Sequence, residues 1–210
     1  GSKDNNIVDL PVRIGDYRTI ASTFTVSIDE NPDCPADARY KGVVLAMKPR
    51  GLIPMQSADG KRWEPVIDQH VITGDAFDSP NRLFWDSVRK EYRAYYRYVT
   101  SGESGDNDNR GIKTAVSKDL VSWSEGQILQ FPDAPVDQLY TNMVFPYYRA
   151  PHLFVGFPTR YLDRGWSDSM RALPDAEHRQ ARARAMLAGS AWPSVGSHTP
   201  PVTPSRLICS

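Results

Sequence analysis

The sequence has little cysteine and no long apolar run. Its 210 residues include two cysteines, Cys34 and Cys209, which is too few for a disulfide framework or a multi-cysteine metal site. The longest apolar runs, such as 43–47, are far shorter than the roughly 20 residues that cross a bilayer. We therefore expect no disulfide, no cysteine-based metal site and no membrane span.

An excess of charge of one sign is also absent. Lys and Arg number 25, Asp and Glu number 25, and the formal net charge is 0, so no overall positive field attracts nucleic acid. The four histidines lack metal-ligand spacing, and we find no phosphate loop, dinucleotide fingerprint or Ser-His-Asp signature. We expect no nucleic-acid partner, no metal and no cofactor. The polar opening residues give no sign of a signal peptide.

What the sequence does contain is a repeated turn. Ser57, Asp59 and Trp63 recur sixty positions later as Ser117, Asp119 and Trp123. An Asp that accepts hydrogen bonds from its own backbone, followed by a Trp that opens the next strand, is typical of a tight turn between strands. Repetition of such a unit roughly every 40–60 residues indicates a β-propeller, in which each blade is a four-stranded meander. We interpret both aspartates as scaffold residues.

Alternating and apolar runs bounded by turn residues predict the strands of these meanders. The predicted strands of the first meander are 24–28, 40–47, 52–56 and 63–67. Those of the second are 82–85, 92–99, 112–116 and 123–129. A third meander is predicted to begin with 142–145 and 152–157.

The character of the chain changes after residue 166. Pro174, the acidic Asp175 and Glu177 and the arginines that follow predict a helix, which Gly189 would end. Residues 191–210 hold four prolines and little periodicity, which is typical of irregular structure. The predicted organisation is a partial propeller domain over 1–166, a helical insertion over 167–189 and a disordered or aberrant tail over 190–210.

Several segments resemble a known group of proteins. They are the runs 5–8, 29–32, 39–41, 57–63, 77–86, 92–97, 139–142 and 156–161. These are similar to uncharacterised bacterial proteins related to glycoside hydrolase family 32, and that group resembles the five-bladed propeller clan of invertases, levansucrases and arabinanases. The resemblance covers roughly residues 1–188.

The resemblance implies a fold and bears on the compartment in which the protein is found. The fold is all-β, and this chain would supply about two and a half blades of a five-bladed β-propeller, with a short C-terminal helix and an irregular tail. We therefore expect the chain to be a fragment of a longer parent protein. Proteins of the group are often exported, which leaves an extracellular or periplasmic parent open.

The resemblance also implies catalytic residues. Glycosidases use an acid and a base or nucleophile, both usually carboxylates, and members of the clan carry three acids, one from each of the first three blades. Asp29 matches the fixed carboxylate that orients sugar hydroxyls, and Asp78 matches the third position, where the clan usually has Glu. The first-blade acid has no counterpart here. As an alternative, either aspartate could simply form a turn through its side chain.

Four further residues are candidates for substrate binding. Arg97 and Arg160 could bind a carboxylate or sugar hydroxyls, and Trp85 and Tyr140 could stack on sugar rings; pairing with structural aspartates and core packing are the alternatives. The resulting hypothesis is a glycoside hydrolase-like propeller that acts on or binds a glycan at its central axis and is inactive as this fragment. A non-catalytic carbohydrate-binding or protein-interaction propeller is the alternative. Substrate, stereochemical outcome and oligomeric state stay open.

Overall fold

The computed structural model describes residues 7–100, 109–134, 137–162, 166–187 and 206–208. The chain divides into two compact units, one running to Tyr161 and including the last strand, and one beginning at Leu162. The first unit is built from β-strands, which confirms the all-β prediction. Within the described ranges, no helix is both long and apolar enough to cross a membrane.

The strands of the first unit follow the order of the predicted runs. They are β1 Ile7–Asp9, β2 Arg13–Ile14, β3 Tyr17–Ile28, β4 Tyr40–Met47, β5 Gly51–Ser57, β6 Glu64–Pro65, β7 Ile72–Thr73, β8 Arg82–Asp86, β9 Glu91–Val99, β10 Arg110–Ser117, β11 Gln127–Ile128, β12 Gln138–Leu139, β13 Phe145–Tyr147, β14 Ala150–Val155, β15 Arg160–Tyr161 and β16 Arg206–Ile208. A 3-10 turn, Ala36–Ala38, precedes β4.

Two antiparallel sheets dominate this unit. In the first sheet, β2 to β5 pair in chain order, and both β6 and β7 pair with β5, so the fourth strand of the meander is divided. In the second sheet, β8 to β11 pair in chain order as a four-stranded meander. Two hairpin-like pairs, β13 with β14 and β12 with β15, follow along the chain. β16 pairs with β1, so Arg206–Ile208 form a strand within the segment that the sequence predicts to be irregular.

The two sheets pack face to face through alternate side chains of their strands. Val43 and Leu45 of β4 meet Trp85 of β8 and Tyr96 of β9 in one buried cluster between the sheets. The side chains between them in sequence point the other way, as the two-residue period of a strand requires. Thus Val44 joins a cluster on the outer face of the first sheet. A third cluster lies between the second sheet and the β13–β14 hairpin and includes Phe84, Tyr95 and Val144.

The first strands of the two sheets lie side by side and run in the same direction. The Thr25 hydroxyl donates to the carbonyl of Asn81, and the Ser27 hydroxyl donates to the carbonyl of Leu83 at 2.7 Å. A step of two residues along β3, from Thr25 to Ser27, therefore matches a step of two residues in the same direction along β8. It follows that Asn81, just before β8, lies beside the second half of β3, and that residues just after β3 lie beside the end of β8.

The repeated turn has the same hydrogen bonds in both sheets, as predicted. Asp59 accepts from the backbone N–H groups of Lys61 (2.8 Å) and Arg62 (2.9 Å), and the Trp63 indole donates to the carbonyl of Gly60 at 3.1 Å. In the second sheet, Asp119 accepts from the backbone N–H groups of Val121 (2.9 Å) and Ser122 (2.7 Å), and the Trp123 indole donates to the carbonyl of Leu120 at 2.9 Å. These backbone bonds lower the pKa of Asp119 to about 2. Both aspartates are therefore committed to the scaffold.

The second unit contains two helices. They are α1 Asp168–Arg171 and α2 Ala176–Leu187, within the stretch where a helix is predicted. The Ser167 hydroxyl accepts from the backbone N–H of Met170 at 3.2 Å and so caps α1. Arg179 lies over the ring of Trp166, 5.3 Å from its centroid, and its guanidinium donates to the carbonyls of Met170 and Leu173. Apart from Arg206–Ile208, the predicted tail 190–210, Cys209 included, lies outside the described residues.

Candidate functional site

A short loop ahead of β8 positions Asp78. Phe77 has a positive φ of 54°, and its N–H donates to the carbonyl of Arg97 at 3.4 Å. The side chain of Asn81 is fully buried and donates to the carbonyl of Phe77 at 2.9 Å. The first bond holds the loop against β9, and the second closes the loop on itself. The Asp78 carboxylate accepts from the Arg97 guanidinium.

Arg97 is a buried cation at the end of β9. Its side chain is 2% exposed, whereas that of its partner Asp78 is 40% exposed. The guanidinium carbon lies 4.9 Å from the ring centroid of Tyr140, which is a cation–π distance. Burial lowers the pKa of Arg97; the Tyr140 side chain opposes this effect, and the charges of Arg110 and Arg50 add to it. We call Asp78, Arg97 and Tyr140 the Arg97 site.

A row of side chains, in which two tyrosine rings lie between two arginines, extends from the Arg97 site. The ring of Tyr140 stacks with that of Tyr161 at a centroid distance of 6.2 Å, and the guanidinium carbon of Arg110 lies 4.4 Å from the Tyr161 centroid. Arg110 also donates to the Gln138 side chain at 2.6 Å. Stacked guanidinium and phenol planes hold each other in fixed orientations.

The segment that carries Tyr140 is held on both sides. The backbone N–H of Tyr140 donates to the carbonyl of Thr159 at 2.7 Å. Two residues later, the buried Asn142 side chain donates to the carbonyls of Pro80 (3.1 Å) and Tyr95 (3.2 Å). Asn142 therefore fixes this segment against the start of β8 and the middle of β9, next to the Arg97 site.

A cavity of about 310 Å³ lies beside this row. Ile112, Leu129 and Phe131 contribute apolar lining, and Arg110 and Asp137 contribute charged lining. An apolar cavity with a few polar groups is the usual form of a small-molecule site. Its volume lies at the lower end of the roughly 300–1,000 Å³ typical of such sites.

Arg160 lies near this row but outside it. Its register partner across β12 and β15 is Leu139, which places it next to Tyr161. Its guanidinium pairs with Asp137 at 3.0 Å, and its side chain is 57% exposed. Arg160 therefore serves as the partner of a carboxylate that lines the cavity.

Asp29 lies in a different cluster, just after β3. Its carboxylate pairs with Lys41 at 3.0 Å, and both side chains are almost fully buried. It also accepts from the Tyr92 hydroxyl at 2.8 Å and from the N–H of Asn31 at 2.9 Å. Burial, with the nearby charge of Asp29, raises the pKa of Tyr92. The Lys41 ammonium also lies 3.2 Å from the Cys34 sulfur. We call Asp29, Lys41, Tyr92 and Cys34 the Asp29 cluster.

Trp85 lies with the Asp29 cluster and not with the Arg97 site. Its ring meets that of Tyr92 edge to face at a centroid distance of 4.8 Å, and it is 8% exposed within the core between the sheets. Trp85 also lines a cavity of about 240 Å³ together with Arg82 and Tyr148.

The structure does not bring Asp29 and Asp78 together. Asp29 contacts Tyr92 near the start of β9, and Asp78 contacts Arg97 near its end. Five residues of strand separate these partners, which corresponds to roughly 16 Å. The two aspartates thus contact opposite ends of β9, whereas paired glycosidase carboxylates lie roughly 5–9.5 Å apart.

Several residues of both clusters carried no clear signal in the sequence. Lys41 lies within an apolar strand, and a buried lysine there indicates a carboxylate partner. Arg93, Tyr95 and Arg97 alternate along β9 and so share a face, which could have pointed to a polar row. Arg110 and Tyr161 are far apart in sequence, and only the folded chain brings them into the row beside the Arg97 site. Among the described residues, no group of three or more His, Cys, Asp or Glu side chains could hold a metal ion.

Three comparisons of the chain with known proteins gave no match. The chain matches no family model, no curated protein and no solved structure.

Proposed function

We propose that this chain is part of a β-propeller and that it binds a glycan at the Arg97 site. Two four-stranded meanders with parallel first strands, β3 beside β8, support the propeller. On this proposal the first and second sheets are blades, and the β13–β14 hairpin begins a third. The Arg97 site then lies where the first strand of the second blade begins.

One observation carries the proposal for binding. A buried guanidinium holds a carboxylate that is 40% exposed, beside a tyrosine ring that is 39% exposed. A fixed carboxylate accepts hydrogen bonds from sugar hydroxyls, and a tyrosine face packs against the apolar face of a sugar ring. The cavity of about 310 Å³ near Tyr161 and Arg110 gives room for further sugar units.

Hydrolysis is the second candidate function. It would need a second carboxylate within roughly 5–9.5 Å of Asp78, and Asp29 is enclosed in its own cluster. Asp137 lines the cavity and is 31% exposed, so it is the residue we would test in that role. We expect the 210-residue chain by itself to release no sugar from aryl glycosides.

Calorimetric titration of the full chain with a panel of oligosaccharides tests the proposal. We expect binding that is lost in Asp78→Asn and in Tyr140→Ala. Asp68→Asn and Tyr148→Ala are matched controls, because Asp68 is exposed and Tyr148 is 76% exposed on the β13–β14 hairpin. Failure of every oligosaccharide to bind, or equal loss in the controls, would overturn the proposal. Sugar release that depends on both Asp78 and Asp137 would favour hydrolysis.

A further inference from the structure

The cavity of about 240 Å³ that Trp85 lines lies where β3, β8 and the β13–β14 hairpin meet. Ser27 and Ile28 at the end of β3, Arg82 of β8 and Phe145 of β13 are among its lining residues. We call it the Arg82 cavity. It shares no lining residue with the Arg97 site, so what binds in it does not depend on the proposed binding of a glycan.

Contacts between the three elements fix the walls of the Arg82 cavity. The Ser27 hydroxyl donates to the carbonyl of Leu83 at 2.7 Å, which holds the end of β3 against β8. The ring of Phe84 meets that of Phe154 edge to face at a centroid distance of 5.4 Å, which holds the hairpin against the same strand. The cavity is therefore bounded by parts of the fold that are packed on one another.

The walls of the Arg82 cavity are mainly apolar. Of its ten lining residues, seven are aromatic, aliphatic or proline, and Phe84, Trp85 and Phe145 are three of the aromatic ones. Such walls favour an organic ligand over a bare inorganic ion, because the ion would leave the apolar surface in contact with water. The volume is below the roughly 300–1,000 Å³ of most small-molecule sites, so the ligand is small, with a single ring.

Arg82 lines this cavity without a protein partner for its charge. Its Nε atom is buried and has no hydrogen-bond partner, and no carboxylate among the described residues forms an ion pair with its guanidinium. By contrast, Arg93 on the neighbouring strand pairs with Asp86 at 3.0 Å. A half-buried cation that lacks an anionic partner has lost part of its hydration without replacing it. Arg82 is therefore a group that a ligand anion would stabilise.

We infer that the Arg82 cavity binds a small aromatic carboxylate. The carboxylate pairs with the Arg82 guanidinium, since guanidinium groups bind carboxylate oxygens through paired, charge-assisted hydrogen bonds. The ring of the ligand packs against the aromatic side chains of β8 and β13, which removes apolar surface of both from water. A neutral ring would leave Arg82 unpaired, and a carboxylate without a ring would leave the walls uncovered.

Calorimetric titration of the full chain with benzoate, benzamide and acetate separates these contributions. Benzamide keeps the ring without the charge, and acetate keeps the charge without the ring. We expect benzoate to bind about tenfold or more tightly than either, as loss of a charge-assisted bond or of a buried ring implies. Absence of benzoate binding at millimolar concentrations, or equal affinity for benzoate and either of the other two, would overturn the inference.

Variants of Arg82 place the ligand in the cavity. Arg82→Gln should lower the affinity for benzoate about tenfold, to that for benzamide, and leave the affinity for benzamide unchanged. Arg82→Lys should restore part of the preference for benzoate, because it returns the charge without the planar fork. Arg18→Gln is the matched control, since Arg18 is an exposed arginine near the start of β3 and does not line the cavity.

Glu30 gives a second test that does not depend on whether Arg82→Gln folds. It lines the cavity and is exposed, so its charge opposes that of the ligand. Glu30→Gln should raise the affinity for benzoate about two- to fivefold at low salt and leave that for benzamide unchanged. Asp68→Asn, which removes an exposed carboxylate outside the cavity, should change neither. Benzoate affinity that does not rise in Glu30→Gln, or does not fall in Arg82→Gln, means that benzoate binds elsewhere and overturns the inference.

Discussion

Lys41 and Asp29 form an ion pair that water hardly reaches, since their side chains are 5% and 0% exposed. The pair also connects the two sheets, because Asp29 follows β3 of the first sheet and accepts from Tyr92 of the second. Removing one charge from such a pair leaves the other buried and uncompensated, which costs far more than the pair itself contributes. The Asp29 carboxylate therefore stabilises the contact between the two sheets.

We predict that Lys41→Ala lowers the free energy of unfolding by about 3–5 kcal/mol. Urea titration followed by tryptophan fluorescence measures this change, and Lys61→Ala, an exposed lysine of the same sheet, should change it by less than about 0.5 kcal/mol. A Lys41→Ala protein as stable as the control would mean that Asp29 finds another partner or water.

His70 makes stability depend on pH. Its ring packs on Gly51 and lies 4.1 Å from the ring of Tyr17, and burial lowers its pKa below 6.5. Between the folded pKa and 6.5, the unfolded chain binds the proton and the folded chain does not, so stability falls as the pH drops below 6.5.

We therefore expect the unfolding temperature to fall between pH 7 and pH 5, and to fall less in His70→Gln. His152→Gln is the control, because His152 is exposed on β14. If the unfolding temperature depends on pH in the same way in the unaltered chain and in His70→Gln, other groups cause the loss of stability.

At the scale of elements, β3 and β4 approach each other closely at Gly42. A Cβ atom built there would lie 2.6 Å from the Phe24 ring and 2.8 Å from the carbonyl oxygen of Thr25. The ring could rotate away, but the carbonyl belongs to the backbone of β3, which is also fixed to β8 by the Thr25 hydroxyl. Gly42 therefore allows the bulged part of the β3–β4 ladder, between Ile20 and Thr25, to close.

Gly42→Ala should lower the free energy of unfolding by about 1–3 kcal/mol, the usual cost of overpacking a buried site. Gly156→Ala is the comparison, since its nearest neighbours would be the Val144 side chain at 3.0 Å and the Asn142 carbonyl at 3.3 Å. Chemical denaturation should give a smaller cost for Gly156→Ala. Equal costs would show that β3 shifts more easily than its contacts indicate.

The elements also explain what the sequence could predict. The Ser57–Trp63 and Ser117–Trp123 turns were predictable because their hydrogen bonds join residues at most three positions apart. The Arg97 site was predicted in parts, because Tyr140 reaches Arg97 only after β9, β10 and β11 have folded back. Arg110 and Tyr161 had no local signal at all.

The relative positions of Asp29 and Asp78 depend on strand direction. Asp29 follows the first strand of its meander and Asp78 precedes the first strand of the next. Since those strands are parallel, Asp29 and Asp78 lie at opposite ends of β8. The sequence shows that Asp29 follows its predicted strand and that Asp78 precedes its own. This order indicates where the two aspartates lie only once the parallel contact of β3 and β8 is known.

At the scale of the whole first unit, the two sheets share one core. The cluster between them takes Val43, Leu45 and Leu52 from the first sheet and Leu83, Trp85 and Tyr96 from the second. Neither sheet can bury this face alone, so each exposes a large apolar surface if the other unfolds. We therefore expect the two sheets to unfold in one cooperative step.

A substitution remote from the shared core tests this expectation. Ile53 is fully buried in the outer cluster of the first sheet, whose members all belong to residues before the second sheet. Ile53→Val should lower the free energy of unfolding by about 0.5–1.5 kcal/mol. If the sheets unfold together, native-state hydrogen exchange of the slowest amides in β9 should lose the same free energy as those in β4.

Loss of protection confined to β4 would mean that the second sheet stays folded when the first opens. Ser87→Ala in the exposed β8–β9 turn is the control for the amides of β9, and it should leave both strands unchanged. One cooperative unit matters for the proposed function because the Arg97 site takes Asp78, Arg97 and Tyr140 from the second sheet and its flanking segments, and the shared core fixes that sheet against the first. If the two sheets unfold in one step, a ligand that binds the Arg97 site should raise the protection of β4 and β9 by equal amounts.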